Sequence, residues 1–189
     1  MLIQKIDQTT LSGWVKLRTQ LWPNHGSDVH HHDGENIIFC SDKLISFVAI
    51  ADSGDIVGFA DASLRHDYVN GCDNTPVVFL EGIFVVDTYR RKGIAAQLVT
   101  AIQAWGRVKG CNELASDIDN IASQKMHQSL GFQETERVVF LKNKYQILDS
   151  GALISIPHTD NQDRCANTIL VAAAKTSRRG SAAFLSCVK

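Results

Sequence analysis

Apolar positions along the chain follow two periods, alternation for strands and a spacing of three to four for helices, and the switches between them mark the elements. Leu2–Ile6 is a short mixed run that predicts a first strand. Thr10 or Ser12 is placed to cap a helix carrying Trp14, Leu17, Arg18 and Leu21, which Pro23 ends. Leu21–Gly26 reads as irregular turn, and Gly34–Cys40 as a short second helix. Between them Ser27–Asp33 holds His30, His31 and His32 in a row. Consecutive residues on a helix or strand do not face one point, so this stretch reads as a solvated loop and not as a metal site.

Two apolar runs, Ile45–Ala51 and Ile56–Ala62, flank Asp52-Ser53-Gly54-Asp55 and predict a hairpin. Ser63–Thr75 is polar and long enough to carry function. Val77–Val86 is an apolar strand with one charge, Glu81, followed by Gly82. Ile94, Leu98, Ala101, Ile102 and Trp105 form one face of a helix that stops near Lys109-Gly110. A short strand over Glu113–Asp117, a helix over Ala122–Leu130 stopped by Gly131, and a last strand over Glu136–Leu141 complete an α/β pattern. Asn143–Lys189 has small and scattered polar residues with no clear period beyond Ile169–Ala174. We therefore divide the chain into a domain over residues 1–142 and a C-terminal extension over 143–189 with no catalytic role.

Composition narrows the class. With 44% hydrophobic and 21% charged residues, the chain reads as a soluble globular protein with a full core. No apolar run approaches bilayer length, and the N-terminus lacks a secretory pattern, so a cytoplasmic protein is expected. Five cysteines without C-x-x-C spacing read as reduced thiols, neither a disulfide frame nor a zinc site. The net charge of −1 hides a split, since residues 1–145 carry 14 basic against 17 acidic side chains. A slightly acidic body argues against nucleic acid and suits a small cationic partner.

The chemistry concentrates in Val77–Ala96. An apolar strand leads into R-R-K-G-I-A, and a helical period starts at Ile94. Strand, basic turn and helix N-terminus gather backbone N–H groups beside Arg90, Arg91 and Lys92, which suits a phosphate-rich ligand. Glu81, a few residues upstream, becomes a carboxylate facing a substrate next to that cradle.

R-R-K-G-I-A after an apolar strand resembles the acetyl-CoA signature Q/R-x-x-G-x-G/A of the GCN5-related N-acetyltransferase (GNAT) superfamily, with Arg90, Gly93 and Ala95 at the fixed positions. Asn120, followed by a helix closing in Leu130-Gly131-Phe132, resembles its second signature. LWPNH, GFADASLRHDYVNGCD, VVFLEGIFV, ASD and HQSLGFQETERV resemble the aminoglycoside 6′-N-acetyltransferases across roughly residues 1–142. The resemblance implies a mixed, mostly antiparallel sheet flanked by helices and splayed between its two central strands. It implies acetyl transfer from acetyl-CoA to the 6′-amine of an aminoglycoside, giving antibiotic resistance, with no metal. A homodimer is implied by analogy.

Residue by residue, the resemblance implies cofactor contacts from Ile83, Phe84 and Val85 along the strand edge, from Arg91, Lys92, Gly93, Ile94, Ala95 and Ala96 at the pyrophosphate, and from Asn120. Substrate contacts fall to Trp22, His25, Tyr68, Glu81, Asp117 and Glu136, the last reaching a partner subunit's site. Glu81 and Asp117, on neighbouring strands, are the expected ligands of a polycation. His127 stands seven residues after Asn120, where many members carry a tyrosine that protonates the leaving thiolate. Structural roles compete: a paired carboxylate for Glu81, a helix cap for Asp117, packing for Trp22, Tyr68 and His127, and a buried filler for Cys111. Two other functions share the motifs, namely acetyl transfer to a polyamine or to a peptide or protein amine, and a non-catalytic acyl-CoA sensor.

Overall fold

The computed structural model describes residues 1–39, 42–118 and 121–136, which lie in one compact unit. The strands are β1 (Leu2–Lys5), β2 (Leu44–Ile50), β3 (Ile56–Arg65), β4 (Val77–Val85) and β5 (Leu114–Ala115), ordered β1-β2-β3-β4-β5. The first four pair antiparallel in sequence, and β5 joins β4 in parallel. Helices α1 (Leu11–Leu21) and α2 (Ser27–Phe39) pack on one face. The helix α3 (Ile94–Val108) packs on the other, and α4 (Ile121–Ser129) follows β5. The expected mixed, mostly antiparallel sheet between helices is therefore present. Among the described residues no helix is long and apolar enough to cross a membrane.

Two apolar layers sandwich the sheet. Val57, Ala60, Ala62, Val78 and Leu80 meet Ile94, Leu98 and Ile102 of α3. Val48 and Phe59 meet Leu11, Trp14, Leu17 and Ile37 of α1 and α2. Alternation along each strand feeds both layers, as a sheet covered on two sides requires. The hairpin turn carries Gly54 at φ 88°, the left-handed conformation glycine adopts at no steric cost.

Four expectations change. Ser27–Phe39 is one helix: His30, Gly34 and Ile37 form its buried stripe, while His31 and His32 face solvent. The Thr10 hydroxyl makes no cap bond to α1; it accepts from the Asp7 N–H at 3.0 Å and tightens the preceding turn instead. The strand β3 runs three residues further than expected, through Arg65, so the polar loop begins at His66. The strand β5 is only Leu114–Ala115. The expected final strand beyond Glu136, the residues 143–189, Cys40, Cys165 and Cys187 lie outside the described residues.

Candidate active site

The strand β4 changes character at Glu81. Residues 77–80 are buried, whereas 81–85 are half-exposed. The reason is twofold. The short strand β5 pairs only with Val78 and Phe79, so the far side of β4 is free of β5 from Leu80 onward. The pairing with β3 also slips: Asp61 faces Gly82 while Ala62 faces Leu80, which leaves Glu81 as the extra residue of a β-bulge. The bulge flips the strand's parity. Val78 and Leu80 join the α3 layer, as do Ile83 and Val85, while Phe84 joins the opposite one.

Glu81 itself is held. Its Oε1 accepts from the Ser63 hydroxyl and from Arg65 Nη2 at 3.0 Å. The Arg65 guanidinium lies 3.4 Å above the Phe79 ring, a cation–π contact that fixes its own direction. Sequence reasoning did not single out Ser63 or Arg65. Their alternation on β3, two residues apart and on the same face as Asp61, is the signal that would have found them.

Next to Glu81, Gly82 carries the tip of the Trp22 ring. A Cβ on Gly82 would lie 2.5 Å from Trp22 Cη2, so only glycine permits this approach. Trp22 is half-exposed at the end of α1. His25, three residues on, is exposed and stacks edge-on against buried His30 at 5.9 Å. Trp22, His25 and Glu81 thus belong to the sheet face that α1 and α2 cover. Behind them lies a buried carboxylate, Asp61, which accepts from Trp14 Nε1 at 3.0 Å and pairs with Arg18 Nε at 3.2 Å. Burial pushes the Asp61 carboxyl above the usual range, with Arg18, Ser46 and Trp14 pulling the other way. Neither Asp61 nor Arg18 was read as part of the site.

At the far end of β4 the chain turns through Asp87–Tyr89 into the basic segment. Arg90 is exposed, but it is not a free third cation of the cradle. It donates from Nε to the Val85 carbonyl at 2.9 Å and pairs with Asp87 at 2.7 Å, so it closes the turn. Arg91 at φ 63° and Gly93 at φ 76° are both left-handed. For arginine that conformation is strained, and strain of this kind gathers at ligand clamps. Gly93 is the N-cap of α3 and has no side chain to bond the first-turn N–H groups. Arg91, Lys92, Gly93 and Ala96 are exposed, Ala95 is half-exposed, and Ile94 is buried in the α3 layer as an anchor. The result is a concave set of backbone donors at a positive helix end, flanked by two cations.

Other expected residues are more scattered. Asp117 is exposed, two residues past β5, and Ser116 Oγ bonds the Leu80 carbonyl at 3.2 Å, tying this end of the chain to β4 next to Glu81. Tyr68 is exposed on the loop 66–76. That loop is strapped from β5's side: Glu113 accepts from the backbone N–H groups of Asp73 at 3.2 Å and Asn74 at 2.8 Å. Those two bonds hold the Glu113 carboxyl below its usual range. Glu136 is exposed, and Asn120 lies outside the described residues. His127 is buried in α4, where Nδ1 donates to the Ser123 carbonyl at 2.9 Å and the ring packs on Phe132. Cys111 is buried and its thiol is pushed up by burial, which suits packing.

Comparison with known proteins agrees with this geometry. The acetyltransferase (GNAT) family profile matches residues 13–132. An aminoglycoside N(6′)-acetyltransferase type 1 from Salmonella typhimurium is 56% identical over 146 residues, covering 76% of this chain and 99% of that protein. A protein of the same name from Serratia marcescens is 47% identical, covering 72% and 94%. The solved structure of AAC(6′)-Iy with the bisubstrate analog CoA-S-monomethyl-acetylneamine superposes at a TM-score of 0.72, with 56% identity over 76% of this chain and 97% of that one. AAC(6′)-Ih from Acinetobacter baumannii superposes at 0.72 with 43% identity, covering 77% and 99%. With a strand that leaves the core at a held glutamate, a donor-lined helix start, and relatives matched over nearly their whole length, the chain belongs to the acetyltransferase (GNAT) family.

Proposed function

We propose that this chain transfers the acetyl group of acetyl-CoA to the 6′-amine of aminoglycosides and so confers resistance to them. The observation that carries the reading is the bulge at Glu81, which puts a fixed carboxylate between an open strand edge and an α1-end aromatic ring, in a chain whose full-length relatives bear that activity in their names. Bound acetyl-CoA supplies an activated acetyl thioester. The residues present fit that group. Arg91, Lys92 and the N–H groups from Gly93 to Ala96 suit a pyrophosphate, and the edge Ile83-Phe84-Val85 suits an amide-bearing arm that pairs as a strand does.

The protein's own part is to hold and deprotonate the acceptor. Glu81 is bonded through Oε1, which leaves Oε2 as the oxygen for the 6′-ammonium or for a water that takes its proton. Asp117, with Trp22, His25 and Tyr68, binds the rest of the polycation, where carboxylate and aromatic surfaces are the expected ligands. The free amine attacks the thioester carbonyl directly and the CoA thiolate leaves. Cys72 and Cys111 have thiols pushed up, the wrong direction for an acyl-accepting nucleophile. Glu136 reaching a second subunit's site makes the working unit a homodimer, and the co-substrate suits the cytoplasm.

Thiol release from acetyl-CoA in the presence of kanamycin, followed colorimetrically, tests the function, and the product's acetylated position tests the site. Release only with polyamine or peptide amines would replace the acceptor. CoA binding without release would make the chain a sensor. A single-subunit mass in light scattering would remove the dimer.

A further inference from the structure

Buried beneath the proposed acceptor site is an ion cluster that the reaction scheme above does not use. Arg18, on α1, is 3% exposed. Its Nη1 donates to Asp33 of α2 at 2.9 Å, and its Nε pairs with Asp61 of β3 at 3.2 Å. Its guanidinium carbon sits 4.6 Å from the Trp14 ring and 4.7 Å from the Trp22 ring, so the cation is the filling between two indoles. Buried pairs of this kind seldom stabilise a fold beyond what apolar residues of the same volume would do. Three elements are nonetheless locked to one side chain here, and all of them end at the site. Asp61 is the register partner of Gly82, next to Glu81. Trp22 presses on Gly82 from above. His30, fully buried, donates from Nε2 to the Trp22 carbonyl at 3.3 Å and carries His25 against its ring edge.

We propose that Arg18 is a positioning residue for the acetyl acceptor: clamped by Asp33 and Asp61, its planar guanidinium fixes the Trp22 ring against Gly82, so that the wall offered to the amino sugar beside Glu81 is set from inside the protein. The inference rests on the reading of Trp22 as an acceptor contact. A guanidinium is required because only a plane can lie against two rings while donating to Asp33 and holding its charge against Asp61. Lysine keeps the charge and loses the plane. Because the cluster lies on the α1–α2 face, away from the R-R-K-G cradle, its effect should separate acceptor from cofactor.

The test compares Arg18→Lys and Arg18→Met with the parent enzyme. Both variants should raise the kanamycin KM, Arg18→Met by about tenfold or more and Arg18→Lys by less, with acetyl-CoA KM within about twofold of the parent. Without substrate, acrylamide quenching of tryptophan emission should increase as Trp22 leaves Gly82. Unchanged kanamycin KM and quenching in a folded variant overturns the proposal, and so does a parallel rise of both KM values, which would mark general loosening. If loss of the buried cation prevents folding, Asp33→Asn removes one clamp at the cluster's partly exposed edge. It should show the same split, and an unchanged kanamycin KM there counts against the proposal. A parent enzyme that does not acetylate kanamycin refutes the proposed function instead, while the quenching comparison still decides whether Arg18 holds Trp22.

Discussion

Gly82→Ala adds one methyl group at the most crowded point of the site. Its Cβ would lie 2.5 Å from Trp22 Cη2, 2.6 Å from Cζ2 and 3.2 Å from Leu21 Cδ2. Carbon atoms rest at about 3.5–4.0 Å, so the ring or the strand must give way by about 1 Å. The ring has little room to do so. The Arg18 guanidinium is 4.7 Å from it on one side, and the Phe59 ring centroid is 6.2 Å away on another. Overpacking of this kind costs about 1–3 kcal/mol. If the strand absorbs the strain, Tm should fall by a few to about ten degrees. If Trp22 swings outward instead, stability is spared and the kanamycin KM should rise about tenfold. Calorimetry together with steady-state kinetics on the variant reads both outcomes, and acetyl-CoA KM serves as the control. A variant with parental Tm and parental kanamycin KM would refute the packing of Trp22 on Gly82.

Glu81→Gln keeps an acceptor for Ser63 and Arg65 and removes the base, so kcat should fall by about 10²–10⁴-fold with little change in KM, whereas Asp117→Asn should mainly raise the aminoglycoside KM; kinetics of both against pH would show the reverse pattern if the roles are exchanged. Gly93→Val places a β-branched residue at φ 76° and should raise acetyl-CoA KM strongly, and an unchanged KM in a folded variant would remove the cradle. Burial, then the Arg18 charge, hold His30 below the usual histidine range, with Asp33 opposing and His25 assisting. The unfolded chain therefore takes up the proton first, and stability should be lost as pH falls below about 6.5, a limb that should flatten in His30→Gln. Deleting residues 143–189 should leave most acetyl transfer, since the family profile ends at residue 132; a folded but inactive truncation would move the domain boundary.

Strong periodic signals carried most of the fold. The hairpin at Gly54, the α3 stripe from Ile94 to Trp105 and the stop at Gly110 needed only local pattern, and each is present where expected. The first half of α2, Ser27–Asp33, was read as loop because three adjacent histidines mask its stripe, although the His30, Gly34 and Ile37 spacing of four and three was there to read. The left-handed Gly93 at the start of α3 was legible because backbone geometry is written in glycine and in the order of elements. The acceptor side was less so, because it depends on pairs far apart in the chain. Arg18 reads as one more helix residue until Asp61, 43 positions on, supplies the reason for burying it. Arg65 reads as loop until β3 is seen to extend through it and its side chain to reach Glu81 at 3.0 Å. The bulge itself has no local signature beyond a glycine after a charge.

That extra residue at Glu81 behaves like a frame shift written into a strand. Upstream of it odd-numbered side chains look one way, and downstream they look the other. Removing one residue there would turn Phe84 toward α3 and Ile83 toward α1, exchanging the linings of two cores at once. The segment from Ile83 to Val85 can therefore vary by substitution but not by length. The loop from His66 to Pro76, tied down at Asp73 and Asn74 by Glu113 alone among the described carboxylates, is under no such parity rule. Changes of length belong in that loop, which carries the proposed acceptor contact Tyr68, and the strand proposed to meet the acetyl donor keeps its count.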